Sequence, residues 1–175
     1  MGVYEFRNEA FLNFNDPANR ESMTSALAKV KSELGREYPL VIGGEKIFTE
    51  KKSVSINPAN VDEVVGTISQ ADKQLAETAM QAALVKFEEW KFVDPEIRAD
   101  YLFKAAAEMR RRKFEFMAWM VYEVGKNWGE ADADVAEAID FMEFYAREMV
   151  RLSQPQPVVE ISTERNRLHY IPLGV

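Results

Sequence analysis

The spacing of apolar residues changes twice along the first part of the chain. After Asp16-Pro17, Met23, Leu27, Val30 and Leu34 recur at the alternating four- and three-residue steps of one helix face. Asp16 suits the cap, Pro17 the first helical position and Gly35 the stop. The period then shortens. Pro39 to Phe48 places short apolar runs on either side of Gly43-Gly44, which predicts a tight hairpin because paired glycines accept the positive φ such a turn needs. Val54-Ser55-Ile56 and Val64 to Ile68 flank the turn signal Asn57-Pro58-Ala59-Asn60 and predict two further strands.

From Asp72 the pattern is helical over about eighty residues. A first helix is expected to bury Leu75, Ala79, Met80, Ala83, Leu84 and Phe87. Asp94-Pro95 opens a second, with the stripe Leu102, Ala105, Ala106 and Met109. A short helix carrying Phe116, Met117, Met120 and Val121 runs to a stop at Gly125. The last, from Gly129 to Leu152, turns Val135, Ala138, Ile139, Met142, Tyr145, Ala146 and Met149 inward. Stripes of this kind read as core rather than as cofactor contacts. Pro155 and Pro157 then break the helix. Val158 to Ile161 and Arg167 to Ile171, separated by Ser162 to Asn166, predict a second hairpin. A hairpin with no sheet beneath it is marginal in water, so another segment or subunit is expected to complete it, and the ending at Val175 is expected to be a truncation. The fold class is α+β, predominantly helical with two short β-hairpins. With no glycine-rich G-x-G-x-x-G turn, it is not a complete dinucleotide-binding unit.

Composition narrows the function classes. A chain of 175 residues that is 47% hydrophobic can bury one sizeable core. Twenty-two basic against twenty-nine acidic residues, a net charge of −7, would repel a polyphosphate, so no nucleic-acid partner is expected. The basic run Arg110 to Lys113 falls at a helix-to-helix junction, where cations offset the negative end of a helix. No stretch approaches the roughly 18 to 20 apolar residues of a membrane span. Glu5, Arg7 and Glu9 interrupt the start where a secretory peptide would be apolar, and a cytoplasmic protein is expected. With no cysteine and a single histidine, disulfides are excluded and a zinc site is not expected. His169, between Leu168 and Tyr170, reads as a strand-face residue with no acidic partner for a Ser-His-Asp set. Glu130, Asp132, Asp134 and Asp140 invite a metal reading, but three of them crowd a helix start, where acids favour the positive end of the dipole, and no glycine completes a Ca²⁺ loop. Lys126 and Trp128 follow Gly125 in a turn, where packing explains them as well as function does.

Particular words in the sequence carry a resemblance. Tyr38 to Glu45 (YPLVIGGE), Ser55 to Asn60 (SINPAN) and Glu63 to Gly66 (EVVG) are similar to the N-terminal strands of the aldehyde dehydrogenase superfamily. Arg98 to Asp100, Lys104 to Ala107, Met109 to Lys113, Glu123 to Trp128 and Glu130 to Phe141 look like its L-glutamate γ-semialdehyde (1-pyrroline-5-carboxylate) dehydrogenase branch. The likeness runs from about Phe6 to Val175. It implies an N-terminal part of a large cytoplasmic, homo-oligomeric enzyme that oxidises the semialdehyde formed from proline or ornithine to glutamate, with NAD as cofactor. Residues 1–152 would brace the NAD-binding domain, and 153–175 would be an oligomerisation hairpin leading into the dinucleotide-binding core. The phosphate-binding turn, oxyanion asparagine, general-base glutamate and nucleophilic cysteine would lie beyond Val175.

That cysteine matters physically. An aldehyde gives up hydride only after a nucleophile has made it a tetrahedral alkoxide, and a thiolate does this near neutral pH. This chain has no thiol, so no turnover is expected of it alone. The resemblance places one residue near the chemistry. Ala133, Glu137 and Phe141 are spaced by four along one side of the last helix, and in the family this helix borders the aldehyde passage. Glu137 would then shape the passage and orient substrate or water; the residues alone read as a solvated helix glutamate, and only the resemblance sets the passage role beside that. No cofactor-binding or metal-binding residue is expected in this chain. The alternative function is a non-catalytic helical binding or scaffold module derived from such an enzyme.

Overall fold

A computed structural model describes residues 5–175; Met1 to Tyr4, the start of the leader and of the 1–152 unit, lie outside the described residues. The order is α1 (Pro17–Lys31), β1 (Arg36–Tyr38), β2 (Leu40–Ile42), β3 (Glu45–Ile47), β4 (Lys52–Asn57), β5 (Asn60–Ser69), α2 (Lys73–Trp90), α3 (Pro95–Arg111), α4 (Lys113–Val124) and α5 (Trp128–Ser153). Four helices start where a short polar side chain meets a free amide. Asp16 accepts from the Ala18 N–H at 2.9 Å, Asp72 from Leu75 at 2.8 Å, Asp94 from Glu96 at 2.8 Å and Asn127 from Glu130 at 3.0 Å. The last of these sets the start of α5. Gly125, at φ 69°, ends α4 in the left-handed conformation that a side chain would disfavour. α1 stops at Lys31, short of Gly35, which instead donates its N–H to the Val65 carbonyl at 3.0 Å as the chain turns into β1.

The two-residue turn at Gly43 (φ 59°) and Gly44 (φ 91°) joins β2 and β3 in an antiparallel hairpin, with Leu40 opposite Ile47. A second sheet has the order β1-β5-β4, in which β4 pairs antiparallel with β5 and β1 pairs parallel with it, Arg36 opposite Gly66. β1 has no hydrophobic alternation to announce it. Its three residues are exposed, so ladder bonds to β5 rather than burial hold it at the edge.

The core lies where α1, α3, α4 and α5 meet: Met23, Val30, Ala106, Met117, Ala118, Ala131, Val135 and Ile139 are buried together. α3 packs along α5 and α1 against α4. Each large side chain there, Ile139 for instance, contributes about 1.5–3 kcal/mol of burial. One face of α5 is thus fixed inward, which fixes what its other side presents.

Four expectations need correction. α2 has no fully buried residue, and Met80 and Leu84 stand exposed, because it meets little beyond β2. On α3 the inward line is Ala99, Ala106 and Met109, whereas Leu102 and Ala105 face out. Tyr145 on α5 is also exposed. Periodicity shows which residues share a face; it does not show what covers that face. Finally, Val158 to Ile161 and Arg167 to Ile171 form no ladder: a turn closes from the Glu164 N–H to the Ile161 carbonyl at 2.9 Å, but no strand forms on either side. His169 is therefore an exposed residue of an extended segment, not a strand-face residue. An isolated two-stranded ribbon buries too little to offset the cost of ordering it.

Candidate functional site: a groove along the last helix

The helical period puts Ala133, Glu137, Phe141 and Phe144 on the side of α5 away from Val135, Ile139 and Ala146. Lying against that side is the leader before α1, which has no regular secondary structure from Phe6 to Asn13 and turns at Phe14. Between them runs an open groove of about 590 Å³, lined by Phe6, Asn8 and Phe11 of the leader and by Ala133, Glu137 and Phe141 of the helix. The structure thus brings together the three residues that the sequence placed on one side. Phe6 meets Phe144 edge to face with ring centroids 5.6 Å apart, and Phe141 stacks on Tyr145 at 5.9 Å, so the walls are aromatic.

Glu137 is exposed and makes no hydrogen bond or ion pair with any other described residue. Glu130, at the start of this helix, also has no side-chain partner among the described residues, but the acids nearer Glu137 are committed. Asp140 accepts from the Asn8 amide and from the Glu9 N–H, both at 2.7 Å. Asp134 pairs with Lys126. Asp132 is buried, 2% exposed, where one carboxylate oxygen lies 2.6 Å from the Lys113 ammonium and the other accepts from the Leu12 N–H at 2.6 Å. Asp132 and Lys113 therefore do more than meet the ends of helix dipoles, since they pair with each other in the interior. A buried carboxylate holds its charge only when paired, and here it has both a cation and an amide. Among the described residues no group of three or more acids and histidines gathers as a metal site.

The rest of the basic run is also paired. Arg110 reaches Glu9 at 2.8 Å and Glu143 at 3.2 Å, and Arg111 reaches Glu108 at 2.5 Å. Arg112 meets Glu115 at 2.6 Å, and that hydrogen bond, with a second from Lys29, lowers the Glu115 pKa to about 2. Trp128 packs on Phe14 with centroids 5.5 Å apart.

Chemically, an unpaired carboxylate between aromatic walls can orient a polar group while the rings hold an apolar chain. It cannot add to a carbonyl, and the chain contains no cysteine to do so. The sequence did not disclose the leader's part in the groove. The available signal was Phe6, Phe11 and Phe14 in an otherwise polar stretch, a density of aromatic side chains that solvent alone does not favour.

Comparison with known proteins places this arrangement. The model of the aldehyde dehydrogenase family matches residues 48–175. The chain is 57% identical over 173 residues to 1-pyrroline-5-carboxylate dehydrogenase of Geobacillus kaustophilus and 55% identical to that of Bacillus mycoides, covering 99% of this chain and 34% of each relative. The chain therefore spans about a third of the length of the curated relatives it matches. A solved structure of 1-pyrroline-5-carboxylate dehydrogenase from Thermus with bound NAD superposes with a TM-score of 0.94 at 50% identity, over 99% of this chain and 34% of that one. A pyrroline-5-carboxylate dehydrogenase from Mycobacterium tuberculosis, 23% identical, shares the fold with a TM-score of 0.87 over 99% of this chain and 33% of that one. With its helices, hairpin and strands matched along nearly their whole length, the chain belongs to the aldehyde dehydrogenase family.

Proposed function

We propose that this chain is the N-terminal part of an NAD-dependent dehydrogenase that oxidises L-glutamate γ-semialdehyde, the open form of 1-pyrroline-5-carboxylate, to glutamate in proline breakdown. The observation that carries the reading is the identity of 57% over 99% of the chain to a 1-pyrroline-5-carboxylate dehydrogenase of which it spans 34%. In the parent enzyme NAD accepts the hydride, and the nucleophile comes from outside this segment. What these residues contribute is position. The α1, α3, α4 and α5 core braces the cofactor domain, the groove along α5 supplies one wall of the aldehyde passage, and Glu137 orients substrate or water by hydrogen bonding. The segment 153–175, extended and unpaired here, serves as an oligomerisation arm that gains its ladder from another segment or subunit. The parent is then a homo-oligomer acting in the cytoplasm on a small aldehyde. Among the described residues no helix is long and apolar enough to cross a membrane.

The test is kinetic. In the full-length enzyme, Glu137→Ala should lower kcat/KM for the semialdehyde while leaving NAD affinity unchanged; equal kinetics would reduce Glu137 to a solvated surface residue. A second reading, a helical binding module that has lost its chemistry, draws on the same lack of a thiol. A reading frame that continues into a glycine-rich turn and a cysteine supports the enzyme, and a natural stop codon after Val175 supports the module.

A further inference from the structure

The leader is tied to the helical core at Asn8, Glu9, Ala10 and Leu12, of which Asn8 and Glu9 also line the groove. Asn8 and the Glu9 N–H are held by Asp140, and the Glu9 carboxylate by Arg110. Lys113 donates to the Ala10 carbonyl at 3.2 Å, and Asp132 accepts from the Leu12 N–H at 2.6 Å. Asp132 and Asp140 stand two helical turns apart on α5, on either side of Glu137. The leader is thus gripped by backbone groups and polar side chains between Phe6 and Phe11, both of which line the groove. A charge-assisted clamp of this kind is more than is needed to cover a core edge. Neither Asp132 nor Lys113 lines the groove, and burying that ion pair has a desolvation cost that apolar residues would avoid.

We infer that the segment Phe6 to Phe14 is a specificity-determining wall of the groove, positioned by the Asp132–Lys113 pair and by Asp140. The ligand it walls is an aldehyde lying along α5 beside Glu137, and Phe6 and Phe11 on the facing wall set how bulky its chain can be. Asp132, Lys113 and Asp140 are positioning residues. This rests on the dehydrogenase reading given above for the substrate, but not for the clamp.

The experiment has two arms. In this chain, hydrogen exchange is followed at the Glu9 and Leu12 amides in the unsubstituted protein, in D140A, and in the double variant D132L/K113M, which removes two ties without leaving a buried charge. Loss of a charge-assisted bond should speed exchange about tenfold, at Glu9 in D140A and at Leu12 in the double variant. In the full-length enzyme, the double variant should raise KM for the semialdehyde several-fold and relax discrimination against a branched aldehyde, with kcat for propanal unchanged. Unchanged exchange overturns the clamp. Faster exchange with unchanged KM and selectivity overturns the specificity role. Should the double variant fail to fold by circular dichroism, exchange at Glu9 in D140A decides the clamp, and Phe6→Ala and Phe11→Ala in the full-length enzyme decide the specificity role with the same expected direction, since Asp140 itself lines the groove. Absence of semialdehyde turnover by the unsubstituted full-length enzyme overturns the dehydrogenase reading and the substrate class together, while the exchange arm still decides the clamp.

Discussion

Lys113 and Asp132 illustrate how a single residue's surroundings set its energetic role. Side-chain exposures of 7% and 3% mean that each depends on the other for neutralisation. Lys113→Met should therefore cost about 3–5 kcal/mol, since it leaves Asp132 buried without its cation, whereas D132L/K113M should lose much less. Urea denaturation of the two variants checks this; equal losses would show that packing, not charge, dominates the site. Glu115 makes a weaker and pH-dependent contribution. Its folded pKa of about 2 lies below the ordinary 4.5, so its stabilisation is complete above pH 4.5 and is lost as pH falls toward 2. Lys29 is largely exposed and Arg112 partly so, and solvent screening holds the effect to about 1 kcal/mol. Glu115→Gln should then be less stable than the parent chain at pH 7, with the gap closing between pH 4.5 and 2 in pH-dependent thermal melts. A constant gap across that range would contradict the pairing.

At the scale of elements, α2 and the segment 154–175 carry apolar residues that nothing among the described residues covers: Val85 is 72% exposed and Val159 82%. Leu84→Glu and Val85→Glu should change folding stability by less than about 0.5 kcal/mol, because neither side chain is in the core. Both should reduce self-association measured by sedimentation, because exposed apolar patches favour it. A large stability loss would mean that α2 packs more tightly than described. The same two elements mark what the sequence could convey. Caps at Asp16 and Asp94 and the stop at Gly125 were legible because they are local chemistry, and so was the Gly43-Gly44 turn. β1 was not, since Arg36 to Tyr38 owes its ladder to a distant strand. Nor was the tail's failure to pair, because alternation reports a willingness to form a strand and not the presence of a partner. On α5 the spacing of Ala133, Glu137 and Phe141 revealed one wall of the groove. The opposite wall stayed hidden because bonds from Asp140 to Asn8 and from Asp132 to Leu12 span more than a hundred residues.

For the whole molecule, the account separates position from reaction. The chain has a core, a groove with one unpaired carboxylate, and a clamped aromatic wall, but it has no thiol. Binding and orientation alone lower no covalent barrier when the nucleophile is missing. The most direct measurement is NADH formation, followed by absorbance, when the purified 175-residue chain is incubated with NAD and 1-pyrroline-5-carboxylate. No NADH above the protein-free control is predicted. Protein-dependent turnover that scales with the concentration of this chain would contradict the account.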